Sequence, residues 1–373
     1  MLTAIRELLP DQLRWPGGQA ADALPDLPAK PGVWLLLGEG DVPVLAASSQ
    51  NIRASVTGRL AAPGPAQRSK RTDLSRTVVA CRYSVTHGRL ASDWLYGKLV
   101  HAVWPEDFWR RVSFAPMWML AASNVGGTLR LQPTMSWPSE PGARALGPMI
   151  TRSDAQDLLD VLTDLFDLCR YWQILSKAPH GTPCAYYEMG RSTGACAGLI
   201  PIEQYNGMVR EAMGFAGRDR KAVLAARNAE MKAAAARLEF EQAVKIKDWL
   251  ARAELLNEPR YAHLVEIERF AGVAVSRLRS RARPFFFWAG VLEAGEEVKL
   301  SRTQEQLPAW RMRLEAGPTA QIDDVTRAWQ CGLVATHIFR PQRRTLAWLP
   351  LQVGAAGWLE SVRLLDSPVE PEP

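Results

Sequence analysis

The run from Met231 to Leu256 constrains the fold of this 373-residue chain more than any other segment. Met231, Ala234, Ala235 and Leu238 recur at three- and four-residue steps. Val244, Trp249/Leu250 and Ala253 do the same, so the run predicts two helices with one apolar stripe each. Alanine-rich faces let two antiparallel helices approach closely. A pair this short does not bury both stripes by itself, which leaves an apolar edge for the rest of the chain or for another helix pair. Alternating Glu239, Glu241, Lys245, Lys247 and Asp248 select the cover by charge.

Composition sets the outer bounds. The length predicts two or three domains, and 47% apolar with 23% charged residues is ordinary for a globular protein. A net charge of +6 permits a polyanionic partner without requiring one. No stretch approaches the roughly 18 uninterrupted apolar residues of a membrane span, and the start lacks the order of a signal peptide. Cys81, Cys169, Cys184, Cys196 and Cys331 are too scattered for a secreted disulfide framework, so a cytoplasmic protein is expected, with no membrane contact. Walker loops, Rossmann glycine clusters, HExxH and Ser/His/Asp patterns are absent from the sequence.

The fold class expected is α/β (α+β), in four parts after a short lead. Residues 1–24 form a helical or loosely attached lead, and 25–110 a small mixed sheet with helices. Within it, Gly32–Leu37 and Val42–Ala46 read as a hairpin, Asn51–Leu60 as a helix, Ala61–Ser75 as a mobile loop, Thr77–Val85 as a strand and Ala91–Trp104 as a helix stopped by Pro105. Residues 111–215 hold strand and loop over 128–150, a helix over Leu158–Tyr171 capped by Ser153 or Asp154, and a Cys- and Gly-containing loop over 180–200. Residues 216–257 hold the helical hairpin. Residues 258–373 read as a small α+β region, with strands at Pro284–Val291 and Val298–Leu300, one helix near 322–333 and a frayed tail.

The hairpin resembles the UVR motif, through which the excinuclease subunits UvrB and UvrC recognise each other. Met231, Ala234, Ala235, Leu238, Glu239, Phe240, Glu241, Ala243, Lys247, Asp248 and Leu250 fill its places. Val244 replaces the second Ala of its later pair, and Lys247 its usual Arg. The resemblance implies a partner such as UvrB or another UVR-motif protein. Met231, Ala235, Leu238, Phe240, Glu241, Val244, Lys247 and Asp248 would contact it, with the Phe240 ring plugging the gap between two helices.

Residues 31–60 resemble the GIY-YIG nuclease domain of the UvrC/Cho family through Pro31-Gly32-Val33-Trp34 and Asn51-Ile52-Arg53. Ala145-Leu-Gly-Pro148 resembles the family's Phe-Gly-Pro step, and Gly198–Tyr205 the lead into its hairpin. That nuclease activates water with two tyrosines and a Lys, neutralises the phosphate with an Arg and holds a divalent metal on a Glu. The resemblance places Trp34 and Leu45 at the tyrosines, Ser48 at the Lys, Ser55 at the Arg, Tyr96 at the metal Glu and Phe108 at an Asn. Leu45 activates no water and Tyr96 chelates no magnesium, so an inactive site and no bound metal are expected. Arg53, Arg59, Asp93, His101 and Glu106 are the residues from which a rearranged site could be built.

UvrC proteins also carry a four-Cys cluster before the hairpin. Cys169, Cys184 and Cys196 resemble three of its members, and Ser192 stands where another is expected. An iron–sulfur cluster takes four thiolates. Three thiols with His180 leave either a mixed metal site or a relic loop of apolar packing thiols, and the expectation is no cofactor.

Arg68-Ser-Lys70-Arg71, with Arg53 and Arg59, offers phosphate contacts to DNA, nonspecific and salt-dependent. Arg277–Arg283 offers a second basic run, next to Phe285–Trp288, which reads as a buried strand. Asp323-Asp324 read as a helix-capping pair and His337 as a core or surface histidine. The sequence therefore points to a UvrC/Cho-like excision-repair protein that binds a UVR partner and DNA. The alternatives are a working damage-specific endonuclease and a UVR adaptor for a chaperone or protease.

Overall fold

The computed structural model describes residues 1–15, 24–61, 74–140, 142–339 and 345–366. Helix α1 (Leu2–Leu8) opens the chain and is no loose lead, because Ile5 and Leu9 are buried. The first sheet comprises β1 (Asp11–Arg14), β2 (Gly32–Gly38), β3 (Pro43–Ser49) and β4 (Val78–Val85), in the order β1-β4-β2-β3. All its pairings are antiparallel, where a mixed sheet was expected.

Every residue of β2 is buried, because helices cover both faces of the sheet. Trp34 and Leu36 pack on one face with Ile52, Val56 and Leu60 of α2 (Ile52–Leu60). Val33, Leu35 and Leu37 pack on the other with Ile5 and with Leu99 of α3 (Arg89–Val103). A strand covered on both sides needs no polar alternation, hence the uninterrupted apolar run. Asn51 caps α2, its Oδ1 accepting from Ala54 N at 3.0 Å.

The second sheet comprises β5 (Trp118–Val125), β6 (Thr128–Thr134), β7 (Arg144–Met149) and β8 (Val265–Glu266), ordered β6-β5-β7-β8. Helix α4 (Arg152–Leu165) begins earlier and ends earlier than expected. Its cap is Thr151, in a reciprocal box with Asp154: Asp154 N donates to Thr151 Oγ1, and Thr151 N to Asp154 Oδ2, each at 3.1 Å. Helix α5 (Ile202–Gly214) continues through one π-helical turn, Phe215–Asp219, into α6 (Arg220–Ala236), and α7 (Phe240–Ala253) returns antiparallel. A Cβ at Gly217 in that turn would stand 2.8 Å from Leu146 Cδ2, so the close approach requires glycine.

The third sheet comprises β9 (Ala271–Leu278), β10 (Arg281–Trp288), β11 (Val291–Ala294), β12 (Val298–Lys299) and β13 (Leu346–Pro350). Its order is β11-β10-β9-β13, with β12 beside the start of β10. Helices α8 (Thr303–Glu315), α9 (Asp324–Phe339) and α10 (Ala355–Asp366) complete the region. The strand expected over 284–291 runs from Arg281 to Trp288, because Ala289 and Gly290 turn the chain at positive φ.

One core joins parts expected to be separate. Leu90 and Val100 of α3, Met119 and Ala121 of β5, Phe285 and Phe287 of β10, and Trp329 and Leu333 of α9 form a single cluster. Full burial of each large side chain contributes about 1.5–3 kcal/mol, so the C-terminal third is fastened to the first sheet's helix. No helix among the described residues is long and apolar enough to cross a membrane.

Candidate partner and nucleic-acid interfaces

The hairpin's corner is a Schellman turn. Glu239 N donates to Ala234 O and Leu238 N to Ala235 O, each at 3.0 Å, and Leu238 takes the left-handed conformation at φ 62°. Glycine usually fills that place, because any other residue costs roughly 1–2 kcal/mol there. Leu238 is nonetheless 73% exposed and Phe240, the first residue of α7, is 62% exposed. Val244, one turn on, is 55% exposed. Arg237 braces the corner through Glu239, at 3.0 and 2.8 Å.

Of the other residues expected at the interface, Ala235, Glu241, Lys247 and Asp248 are exposed, and Met231 is half-buried. The Phe240 ring fills no gap between α6 and α7; at the start of α7 it projects toward solvent. Ala234 of α6 and Ile246 and Ala253 of α7 are the buried residues of the two helices.

The far end is seated firmly. Trp249 Nε1 donates to Leu165 O at 2.8 Å, and its ring packs against Phe166 and Phe215 at centroid distances of 6.4 and 5.4 Å. Arg227 lies over the same indole at 5.3 Å. Arg220 donates to Ala216 O at 2.9 Å and to Leu256 O, tying the start of α6 to the end of the hairpin. Burial lowers the Arg220 pKa from its ordinary value. Sequence reasoning missed these seating residues; the large, amphipathic Trp249 in an alanine-rich helix was the available signal.

The nuclease-like positions do not converge. Trp34 is 2% exposed, and its Nε1 donates to Ser55 Oγ at 3.2 Å, on the face of the first sheet covered by α2. Leu45 packs against that same core. Ser48 alternates to the opposite face, the side of Ala46, whose carbonyl accepts from Tyr96 Oη at 3.4 Å. Burial, partly offset by Arg111, raises the Tyr96 pKa. Phe108 lies in the central core, 5.6 Å from Trp329 between ring centroids.

The residues offered for a rearranged site are dispersed as well. Asp93 is buried, its Oδ2 3.1 Å from His337 Nε2 on α9 and 3.7 Å from Arg89 Nε. His337 is therefore a core histidine. Arg53 Nε donates to Leu27 O at 2.6 Å, His101 meets the Phe108 ring edge-on at 5.9 Å, and Glu106 is exposed. Arg59 is half-buried, while Arg68, Lys70 and Arg71 lie outside the described residues. Asp323 caps α9, accepting from Thr326 N at 2.6 Å.

Burial pushes the Cys169 thiol up to about 11 and raises Cys196 as well; Cys169 Sγ donates to Tyr171 O and Cys196 Sγ to Thr182 O, each at 3.7 Å. Ser192 is buried, and His180 is exposed. With Ser192 at one family position, Cys169, Cys184 and Cys196 do not supply the four thiolates that an iron–sulfur cluster takes. Among the described residues, no group of three or more His, Cys, Asp or Glu is arranged to hold a metal.

Residues 120–215 match the family described as UvrC/Cho excinuclease, middle domain. The UvrABC system protein C of Trichlorobacter lovleyi is 32% identical over 112 residues, 30% of this chain and 18% of the relative. That of Acetivibrio thermocellus is 26% identical over 167 residues, 44% of this chain and 27% of the relative. That of Desulforudis audaxviator is 32% identical over 115 residues, with 30% and 18% covered. The matches thus span between 18% and 27% of the length of these curated relatives. No solved structure matches the chain. The segment that matches carries β5, β6, β7, α4, the cysteine loop and α5, on which the hairpin is seated, and over this segment the chain is similar to the middle domain of UvrC/Cho excinucleases.

Proposed function

We propose that the chain acts in nucleotide excision repair, docking a UVR partner such as UvrB through the α6–α7 corner and contacting DNA through its phosphates. In this reading the family's nuclease positions do not incise DNA. The observation that carries it is Leu238, held left-handed and 73% exposed where glycine would be less strained. A strained apolar side chain with little cover in its own chain is explained by a partner that covers it. Arg53 and Arg59, with Arg68, Lys70 and Arg71 of the neighbouring sequence, supply charge for the DNA backbone.

The test is a titration of the full chain with the carboxy-terminal UVR segment of UvrB, alongside Phe240→Ala. Burying such a ring contributes on the order of 2–3 kcal/mol, so the substitution weakens binding by roughly 10- to 100-fold. Circular dichroism of the variant should match wild type, since the ring is mostly exposed in the free chain. No binding by wild type at high micromolar concentration removes the main support of the assignment. Binding indifferent to Phe240 and Leu238 moves the partner surface elsewhere.

A further inference from the structure

Lys299 of β12 stands directly opposite Arg281 of β10 in the antiparallel ladder. Like charges so placed are unfavourable. Neither is core: the Arg281 side chain is 58% exposed, and Lys299 is exposed. Glu297 partly answers them, with Oε2 3.4 Å from Arg281 Nε and Oε1 3.6 Å from His87 Nε2. His87 leads into Gly88, where an added Cβ would stand 2.4 Å from Ser276 Oγ of β9, and Arg89 follows, exposed. Arg279 is exposed in the β9–β10 turn, and Leu300 N donates to Ser280 O of that turn at 2.9 Å. Arg302, just beyond, is exposed too.

The fold therefore brings Arg89 to the same rim as Arg279, Arg281, Lys299 and Arg302, from a segment distant in sequence. The acids of the connecting strand end are Glu296 and Glu297. We propose that this rim binds the sugar-phosphate backbone of double-stranded DNA, a contact that rests on the DNA-binding half of the function above. Phe285, Phe286, Phe287 and Trp288 are buried beside it, so this run provides no ring on which an unpaired base could stack. Phosphate contact without stacking is sequence-independent and favours a duplex.

The test measures fluorescence anisotropy of a short labelled duplex with the full chain across a salt series. Arg281→Ala/Lys299→Ala should flatten the slope of log affinity against log salt by about two and weaken binding by at least roughly tenfold near 0.1 M salt. Arg281→Lys/Lys299→Arg should keep the slope. A matching thermal midpoint shows that the alanine variant remains folded. Duplex binding by wild type with an unchanged slope in the folded alanine variant overturns the rim and leaves the DNA reading standing. No salt-dependent duplex binding by wild type overturns both. Competition by polyglutamate as effective as unlabelled duplex assigns the rim to an acidic protein and overturns the DNA contact.

Discussion

Trp34 Nε1 donates to Ser55 Oγ at 3.2 Å, so the two positions that resemble a nucleolytic tyrosine and a phosphate-binding arginine satisfy each other. The indole is 2% exposed, and the bond closes the space between β2 and α2. Tyr96, where the resemblance places the metal ligand, bonds on the opposite face of the sheet. Purified protein should leave supercoiled and lesion-bearing DNA uncut with magnesium or manganese, as read by gel electrophoresis. Cleavage that persists through purification and disappears in Arg53→Ala or Glu106→Gln would establish a rearranged site.

Asp93 and His337 join α3 to α9 inside the shared core, at 3.1 Å and with both residues buried. Asp93→Ala removes an acceptor from a buried histidine and should destabilise the chain by roughly 1–3 kcal/mol in urea unfolding. Asp93→Asn retains an oxygen at the same place and should lose less than half of that. Equal losses in the two variants would show that charge rather than hydrogen bonding sets the effect.

The parts legible in sequence were those specified locally. The three- and four-residue apolar period placed α6 and α7, and Asn51 marked the start of α2. Strand β5 went unread because its Ala121-Ala-Ser123 stretch lacks β-branched residues, although Gly126-Gly127 announced the turn after it. Helix α8 was hidden by Pro308 within it, and α10 by Gly354 and Gly357 at its start. The pairing of Asp93 with His337 spans 244 positions, so no window along the chain could carry it. The nuclease resemblance named positions along the chain but could not reveal that the sheet divides them between its two faces.

Cys169 makes alkaline stability a readable quantity. Burial raises its thiol from 9.0 to about 11 in the folded chain. A pKa raised by folding contributes stability that is complete below the unfolded value and lost as pH climbs through the folded one. The thermal midpoint should therefore fall between about pH 9 and about pH 11, and Cys169→Ala should shallow that fall. Cys81 and Tyr261, both pushed up to about 12 by burial, sustain a further decline above that range. An identical pH profile for wild type and Cys169→Ala would place the alkaline sensitivity in other groups.

Leu238 separates stability from recognition. Its left-handed backbone costs roughly 1–2 kcal/mol, and glycine relieves that strain while adding about 0.5–1 kcal/mol of chain entropy to the unfolded state. Leu238→Gly should therefore stabilise the corner by about 0.5–1 kcal/mol, seen as slower amide exchange at Leu238's position and at Glu239. The same substitution removes a side chain that is 73% exposed and adjacent in sequence to Glu239 and the exposed Phe240. Partner binding should weaken by roughly tenfold even as the hairpin gains stability, the trade expected where function rather than folding retains a residue. If binding is unchanged and the corner is more stable, Leu238 has no partner to meet, and the docking surface does not include the turn.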